Sequence, residues 1–206
     1  MTIDLQYLPS LEYFCALLAH DEIIIEAHEY FEKQSYRNRC RIQTTNKIDT
    51  LTVPVKNGNS KILIKDLRID YHQDWTRRHW GAIHSAYGKS PFFEFYSDYF
   101  RILIEKKPDF LFDFNMDLLT ICLKLLRLEK TIIFTENYEK DHESDFRGLI
   151  HPKRNIVENQ LYEPVPYRQN FGNEFEPNLS IIDLLFCQGN QSLTILRDSV
   201  INEQIV

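Results

Sequence analysis

The order of apolar and polar residues at the start of the chain predicts a strand, a helix and a second strand. Residues 3–6 form a short strand-like stretch, and Pro9 suits the first turn of the helix that follows. One side of this helix repeats apolar residues at helical spacing, namely Leu11, Phe14, Cys15 and Leu18. Residues 22–26 contain three consecutive isoleucines, which is typical of a buried strand. Together these elements predict a compact βαβ unit with two parallel strands.

The point at which the first strand passes into the first helix is a candidate binding position. Free N–H groups and the positive end of the helix dipole point into the crevice at such a junction, and ligands often bind there. Gln6 lies at this junction.

A β-hairpin and a further strand are predicted next. Residues 37–43 and 51–55 are strand-like, and the turn-like residues 46–49 lie between them. Residues 62–69 predict another strand, broken near Asp66.

Three helices and a strand are predicted in the middle of the chain. Residues 74–88 are helical, and Ser90 is the predicted N-cap of a second helix that runs to residue 105. Residues 115–128 are apolar nearly all round and predict a central helix with Asn115 as its N-cap. Residues 131–135 predict a strand.

The last third of the chain has a different character. Residues 137–148 are highly charged, and residues 155–178 carry prolines and aromatic residues without clear periodicity. We therefore expect an irregular segment over residues 137–178 that wraps around the body. A helical part follows over residues 179–206, with a capping box that begins at Ser180 and a helix end at Gly189.

These elements predict an α/β fold in a single domain over residues 1–206. Its parts are a small, mostly parallel sheet with an N-terminal βαβ unit, a β-hairpin insertion, a packed helical section and an irregular C-terminal wrap. A length of 206 residues suits one domain.

Composition and charge narrow the class of protein. A formal net charge of -6 argues against a partner that is a nucleic-acid polymer, because such binding needs a basic face. The chain shows no leader sequence and no apolar run of membrane-spanning length, so we expect a cytoplasmic protein. The four cysteines form no Cys-x-x-Cys pair, which gives no zinc or redox motif. No phosphate-binding glycine-rich loop or nucleophile elbow is present.

Three arginines at alternate positions are the first candidate for ligand binding. A strand would place Arg37, Arg39 and Arg41 on one face and point Cys40 away from them. One interpretation is a solvated edge, where the charges discourage aggregation. The other is a site for a carboxylate or phosphate, such as an acidic sugar or the pyrophosphate of a nucleotide sugar.

The helix over residues 74–88 provides the second candidate. At helical spacing, Trp75, His79 and Tyr87 share one broad face, whereas His84 falls on the other side. The two histidines therefore do not form a joint metal site. His79 is either a hydrogen-bonded core residue or, if it opens on a cavity, a general base.

Several short motifs, taken in order along nearly the whole chain, resemble the WbqC-like family. The segments are Gln6-Tyr7-Leu8-Pro9, Tyr13-Phe14, Tyr36-Arg37-Asn38-Arg39-Cys40-Arg41-Ile42, Leu51-Thr52-Val53-Pro54-Val55, Trp75 with His79, Tyr87 before Pro91-Phe92-Phe93, Asn115, and Leu179 to Phe186 with Gly189. The sequence departs from the family pattern at Leu8, Ser10 and Glu12, close to the crevice beside Gln6.

This resemblance implies a function connected with bacterial surface polysaccharide (O-antigen) biosynthesis. The expected activity is that of a transferase, which forms an amide or acyl linkage, with glycine or another amino acid, on an acidic or nucleotide-activated sugar. The alternative is a non-catalytic module that recognises a glycan precursor. The resemblance specifies no cofactor and no oligomeric state.

By matched position, the resemblance also implies roles for individual residues. His79 is the expected catalytic base. The expected substrate-binding residues are Gln6, Asn38, Arg39, Tyr87 and Asn115.

Overall fold

The computed structural model describes residues 1–154, 161–172 and 174–201. Its strands are β1 (Thr2–Asp4), β2 (Glu22–Glu26), β3 (Arg39–Gln43), β4 (Ile48–Thr52) and β5 (Thr131–Phe134). Its α-helices are α1 (Leu11–Leu18), α2 (Trp75–Tyr87), α3 (Phe93–Glu105), α4 (Leu111–Leu126), α5 (Ile181–Gln188) and α6 (Ser192–Asp198).

The central sheet is parallel, with strand order β1-β2-β5. Asp4 and Glu26 are the last residues of β1 and β2 and lie opposite each other in the register. The carboxyl ends of all three strands therefore meet at one edge of the sheet. This arrangement confirms the predicted α/β fold with a βαβ unit at its start.

The predicted hairpin is also present, but the strand expected after it is not. Strands β3 and β4 pair antiparallel, with Arg39 opposite Thr52. The prediction of a strand over residues 62–69 is wrong, because Ile64–Asp66 form a 3₁₀ turn. The backbone N–H of Ile64 donates to the carbonyl of Glu29, and Ile64 and Leu67 are both buried. A spacing of three residues between these two side chains suits a 3₁₀ turn better than an extended strand.

Two predicted N-caps are wrong. Helix α4 begins at Leu111, so Asn115 lies inside it, fully buried, and its Nδ2 donates to the carbonyl of Arg37 at 2.7 Å. Helix α3 begins at Phe93 with Phe92 as its N-cap, and Ser90 accepts the Phe93 N–H through its backbone carbonyl. In both cases a tertiary contact or a backbone turn has replaced the local side-chain cap.

The C-terminal helix α5 begins and ends where the sequence predicts, although the capping box is absent. The Ser180 hydroxyl donates to the carbonyl of Leu8, and the Asp183 carboxylate accepts the Tyr167 hydroxyl at 2.7 Å. Gly189 ends the helix with φ = +53°, and a side chain there would overlap the ring of Phe92. Long-range contacts have therefore taken the groups that a local cap would use.

The charged segment after β5 returns to the sheet. The N–H of Thr2 donates to the carbonyl of Ser144, and the N–H of Phe146 donates to the carbonyl of Thr2, both at 2.8 Å. These bonds place residues 144–146 beside β1. No helix in the described ranges is long and apolar enough to cross a membrane. Residues 155–160, 173 and 202–206 of the predicted irregular and helical parts lie outside the described ranges.

Replacing Arg127 by glycine is expected to stabilise the protein. Arg127 is exposed and caps α4 in the left-handed region, at φ = +55° and ψ = +40°. Because a side chain is strained in that region, Arg127→Gly should raise the free energy of unfolding by about 1 kcal/mol. Urea denaturation measures this change. Arg127→Ala is the control, since it removes the guanidinium but keeps the strain. An equal gain in both variants would contradict the explanation.

Candidate functional site

The main candidate site is a cavity at the carboxyl ends of the parallel strands, which we call the strand-end crevice. Its volume is about 720 Å³. Its walls are the segment after β2, part of the segment after β5, Arg37 and Leu63. The lining residues are His28, Glu29, Tyr30, Glu32, Arg37, Leu63, Asn137, Tyr138, Lys140, Asp145, Arg147 and Gly148. This is the edge at which open parallel sheets generally bind ligands.

One wall of the crevice is built around a buried arginine, Arg37, which is only 3% exposed. Its Nε and Nη2 donate to the two oxygens of the Glu29 carboxylate at 2.6 and 2.7 Å. Its Nη1 lies 3.2 Å from Glu32 and 3.8 Å from Asp4. A guanidinium that is held on three sides in this way has a fixed orientation.

A second arginine, Arg147, also lines the crevice. It contacts the Glu26 carboxylate at 2.9 Å and the Asp145 carboxylate at 2.7 Å. Its guanidinium also donates to the carbonyls of Glu139 and Lys140 and lies 5.1 Å from the ring centre of Tyr138. Arg147 therefore fastens the charged segment after β5 to the end of β2.

Carboxylates outnumber guanidiniums in these two clusters. Five carboxylates pair with the two arginines, namely Asp4, Glu26, Glu29, Glu32 and Asp145. Lys140 also lines the crevice, so the five carboxylates face three cations and the excess is at most two negative charges, which favours a positively charged group such as an ammonium.

Glu29 has an unusual proton affinity for a carboxylate. Burial raises its pKa and outweighs the hydrogen bonds and charge of Arg37, and the nearby Asp4 and Glu26 add to the rise, which brings the pKa to about 7. For Arg37, burial lowers the pKa, but the charges of Asp4 and Glu29 outweigh it and leave the pKa above its usual range. Glu29 can therefore accept and release a proton near neutral pH.

Two of the predicted substrate-binding residues lie directly behind the crevice. Gln6 is fully buried, and its Nε2 donates to Asp4 at 3.1 Å and to the carbonyl of Ile150 at 3.0 Å. Asn115 holds the backbone carbonyl of Arg37. Neither residue lines the crevice itself, so both hold the charged clusters in position.

Asn38 and Arg39 line a second cavity, which we call the amide pocket. Its volume is about 570 Å³. The lining residues are Phe31, Lys33, Gln34, Asn38, Arg39, Val55, Asn57, Gly58, Asn59 and Ser60. The Nδ2 of Asn38 donates to the carbonyl of Val53 at 2.8 Å, and the Val53 N–H donates back to the carbonyl of Asn38. These two bonds fix Asn38 at the edge of the hairpin.

The three alternate arginines do not share one face. Strand β3 begins at Arg39, so Arg37 lies outside the strand alternation and turns into the crevice instead. Arg41 pairs with Glu176 at 2.7 Å. The prediction of a single arginine face is therefore wrong for Arg37, and the three guanidiniums have three different surroundings.

His79 and Tyr87 line neither the crevice nor the amide pocket. His79 is 5% exposed, and its Nδ1 lies 3.0 Å from the Tyr7 hydroxyl. Burial lowers the pKa of His79 to about 4, against a smaller opposing effect of a hydrogen bond to the backbone of Thr52. Its catalytic role stays a prediction, and its contacts are those of a neutral histidine in the core.

Tyr87 lies in a buried polar network on the other side of the hairpin. Its hydroxyl accepts the backbone N–H of Gln43 at 3.3 Å and donates to Asp183. Burial, followed by the charge of Asp183, raises the pKa of Tyr87 well above its usual range. The structure thus separates Tyr87 from the crevice, and its binding role also stays a prediction.

Sequence reasoning missed the residues that carry most of the charge at the crevice. Asp4 and Glu26 are the final residues of β1 and β2 in the structure. The predicted first strand, residues 3–6, runs two residues past Asp4, so only Glu26 stands at a predicted strand end. Glu29 and Arg147 carry no such signal, because their positions depend on how the segments after β2 and β5 fold back.

The side chains of the described ranges do not form a metal centre of three or more His, Cys, Asp and Glu. All four cysteines are buried with free thiols. For Cys40, burial raises the pKa of the thiol above its usual range, which opposes a role as a nucleophile.

Comparison with known proteins places the chain in a family. The sequence profile of the WbqC-like protein family matches residues 6–161 and 152–195. An uncharacterised protein of Mycobacterium tuberculosis, Rv1507c, is 26% identical over 219 residues, which cover 93% of this chain and 94% of the relative. No solved structure matches the chain. The profile spans most of the sequence, and the protein belongs to the WbqC-like protein family.

Proposed function

We propose that the protein is a transferase that forms an amide or acyl linkage on an acidic or nucleotide-activated sugar in surface-polysaccharide biosynthesis. The bond forms in the strand-end crevice. The observation that carries this proposal is the position of Glu29, a buried carboxylate that Arg37 holds by two hydrogen bonds in a cavity at the carboxyl ends of parallel strands. Burial raises its pKa to about 7.

The charge of the crevice suits an amine substrate. An ammonium is attracted by the five carboxylates, but it must lose a proton before its nitrogen can attack a carbonyl. A base with a pKa near 7 takes that proton efficiently at neutral pH. Arg37 keeps the Glu29 oxygens in a fixed orientation through its two hydrogen bonds.

The proposed reaction is an acyl transfer. The amine nitrogen adds to the carbonyl carbon of an activated acyl donor, such as a thioester or an acyl phosphate, and forms the new C–N bond. The bond to the leaving group breaks, and the leaving group departs with its electron pair. The proton of the amine passes to a Glu29 oxygen and then to solvent.

The test of this function starts from a product search. Purified protein is incubated with nucleotide sugars, amino acids and activated acyl donors, and new amides or esters are detected by mass spectrometry. With a productive pair in hand, Glu29→Gln should lower kcat by about a hundredfold, because general-base catalysis typically contributes that much. The rate of the unmodified protein should rise with pH through about 7, as Glu29 loses its proton.

Glu32→Gln is the matched control for this test. Glu32 also lines the crevice and contacts Arg37, but its side chain is 53% exposed. The same change of charge at this position should leave kcat within a few-fold. Equal losses in the two variants would show that the charge, and not a base at Glu29, governs the rate.

A non-catalytic glycan-binding module is the second candidate. Its support is that both guanidiniums of the crevice are already paired with carboxylates. Under this alternative, a sugar would bind measurably while no pair of substrates gave a product, and Glu29→Gln would change affinity only.

A further inference from the structure

We propose that the amide pocket is a binding site for a sugar carboxylate, in which Arg39 pairs with the carboxylate and the surrounding amides bind the sugar hydroxyls. This inference rests on the proposed function, because it names the acidic sugar as the substrate and gives it a place. The site is separate from the crevice in which the bond forms.

The first argument is the charge of the pocket. Arg37 pairs with three carboxylates and Arg41 pairs with Glu176, whereas Arg39 makes no ion pair within the described ranges. No acidic side chain of those ranges lines the pocket, whereas a second basic side chain, Lys33, does line it. A guanidinium with no acidic partner in those ranges, in a protein whose net charge is -6, favours an anionic ligand.

The second argument is the state of the polar atoms. The Nε of Arg39 and the Oδ1 of Asn38 are both buried and find no hydrogen-bond partner among the residues that the structure describes, and Asn38 as a whole is 6% exposed. Buried polar atoms are normally paired, so these two atoms mark a place where a bound group completes the hydrogen bonding.

The third argument is the kind of polar group around Arg39. The pocket is lined by side chains that both donate and accept hydrogen bonds, namely Gln34, Asn38, Asn57, Asn59 and Ser60. Sugar hydroxyls also donate and accept, so they pair with amides more fully than the acceptor-only oxygens of a phosphate do. Lys33 donates to Asn59, which holds one of these amides in position. The partly buried ring of Phe31 adds an apolar surface for the face of a sugar.

The amide pocket also adjoins the crevice. Tyr30 and Glu32 line the crevice, whereas the intervening Phe31 and the following Lys33 line the amide pocket. Alternate residues of one segment therefore form the wall between the two cavities. A sugar anchored at Arg39 would lie next to the proposed site of bond formation.

The test is a binding measurement on the full chain, with glucuronate as the acidic sugar. Isothermal titration calorimetry compares glucuronate with glucose, acetate and inorganic pyrophosphate. Glucuronate should bind at least tenfold more tightly than either glucose or acetate, because only it offers both the carboxylate and the hydroxyls. Arg39→Gln should weaken glucuronate binding at least tenfold.

Two further variants separate the contributions. Arg41→Gln makes the same charge change two residues away, at a guanidinium already paired with Glu176, and should leave the affinity within twofold. Asn59→Leu should weaken glucuronate binding several-fold and leave acetate binding unchanged. Circular dichroism confirms that each variant is folded.

Three outcomes would overturn the inference. They are equal binding of acetate and glucuronate, tighter binding of pyrophosphate than of glucuronate, and equal losses in Arg39→Gln and Arg41→Gln. This test measures affinity and not turnover, so the two proposals can fail separately. If glucuronate binds in a way that depends on Arg39 but no product forms, the sugar-binding site is supported and the transferase activity is rejected.

Discussion

Replacing Arg37 by alanine is expected to lower the free energy of unfolding by about 3–5 kcal/mol. The guanidinium is 3% exposed and is the ion-pair partner of both Glu29 and Asp4, which are themselves buried. Without it, the two carboxylates must either remain charged and unpaired inside the protein or take up protons. Urea denaturation at pH 7.5 measures the loss.

Arg41→Ala is the matched control for that prediction. Among the described residues Arg41 makes one ion pair, with Glu176, in which both side chains are about a third exposed (31% and 33%). Such pairs contribute roughly 0–1 kcal/mol, so the expected loss is several-fold smaller. A loss at Arg37 no larger than that at Arg41 would mean that water already reaches the crevice carboxylates and screens them.

The pairing of the central strands could be predicted because the pattern that specifies it is local. Three consecutive isoleucines in β2 and an amphipathic α1 are enough to indicate two parallel strands with a helix between them. The register of β1 and β2 in the structure then places Asp4 opposite Glu26, because β1 ends at Asp4 and not at residue 6 as predicted. Two of the five carboxylates at this edge, Asp4 and Glu26, therefore lie on strands that the sequence predicted.

The surroundings of Arg37 could not be predicted, because they depend on long-range contacts. Strand β3 begins only at Arg39, so the alternation of side chains along the strand does not extend back to Arg37. The N–H of Tyr7 donates to the carbonyl of Tyr36, and the Asn115 amide donates to the carbonyl of Arg37. These two bonds hold the backbone outside β3 and turn the Arg37 side chain toward the crevice. A period-two pattern in the sequence contains no information about either bond.

Asn115 illustrates the same limit. An asparagine before an apolar helical run is the ordinary signature of an N-cap. The helix instead begins four residues earlier, at Leu111, because Leu111 and Phe114 are themselves buried in the core. The buried amide then serves a distant backbone carbonyl, which only the packed fold can reveal.

The pH dependence of stability tests whether His79 is a buried histidine that is neutral in the folded protein. In the folded protein the pKa is about 4, because burial disfavours the charged imidazole. In the unfolded chain it is about 6.5. Between these values the unfolded state binds more protons, so the contribution of His79 to stability is present above about pH 6.5 and is lost as the pH falls toward 4. The full loss is about 3 kcal/mol, at 1.36 kcal/mol for each pH unit.

His79→Gln isolates this contribution, since glutamine keeps polar groups near Tyr7 and Thr52 but does not titrate. Glu29 acts in the opposite direction, because its raised pKa favours the folded state as the pH falls from about 7 toward 4.5. Glu29 makes the same contribution in the unmodified protein and in the variant, so it cancels when the two unfolding free energies are compared at each pH. We expect the difference in unfolding free energy between the unmodified protein and His79→Gln to shrink by about 3 kcal/mol from pH 7.5 to pH 4.

His84→Gln is the control for the substitution itself, because His84 lies on the same helix with an exposed side chain. A difference in stability that stayed constant between pH 7.5 and pH 4 would contradict the explanation, because the ring is 5% exposed and burial should penalise its protonation. A catalytic role needs a separate measurement, since His79→Gln would then lose turnover at every pH. The hydrogen bond between His79 and Tyr7 would in that case have to open toward a substrate.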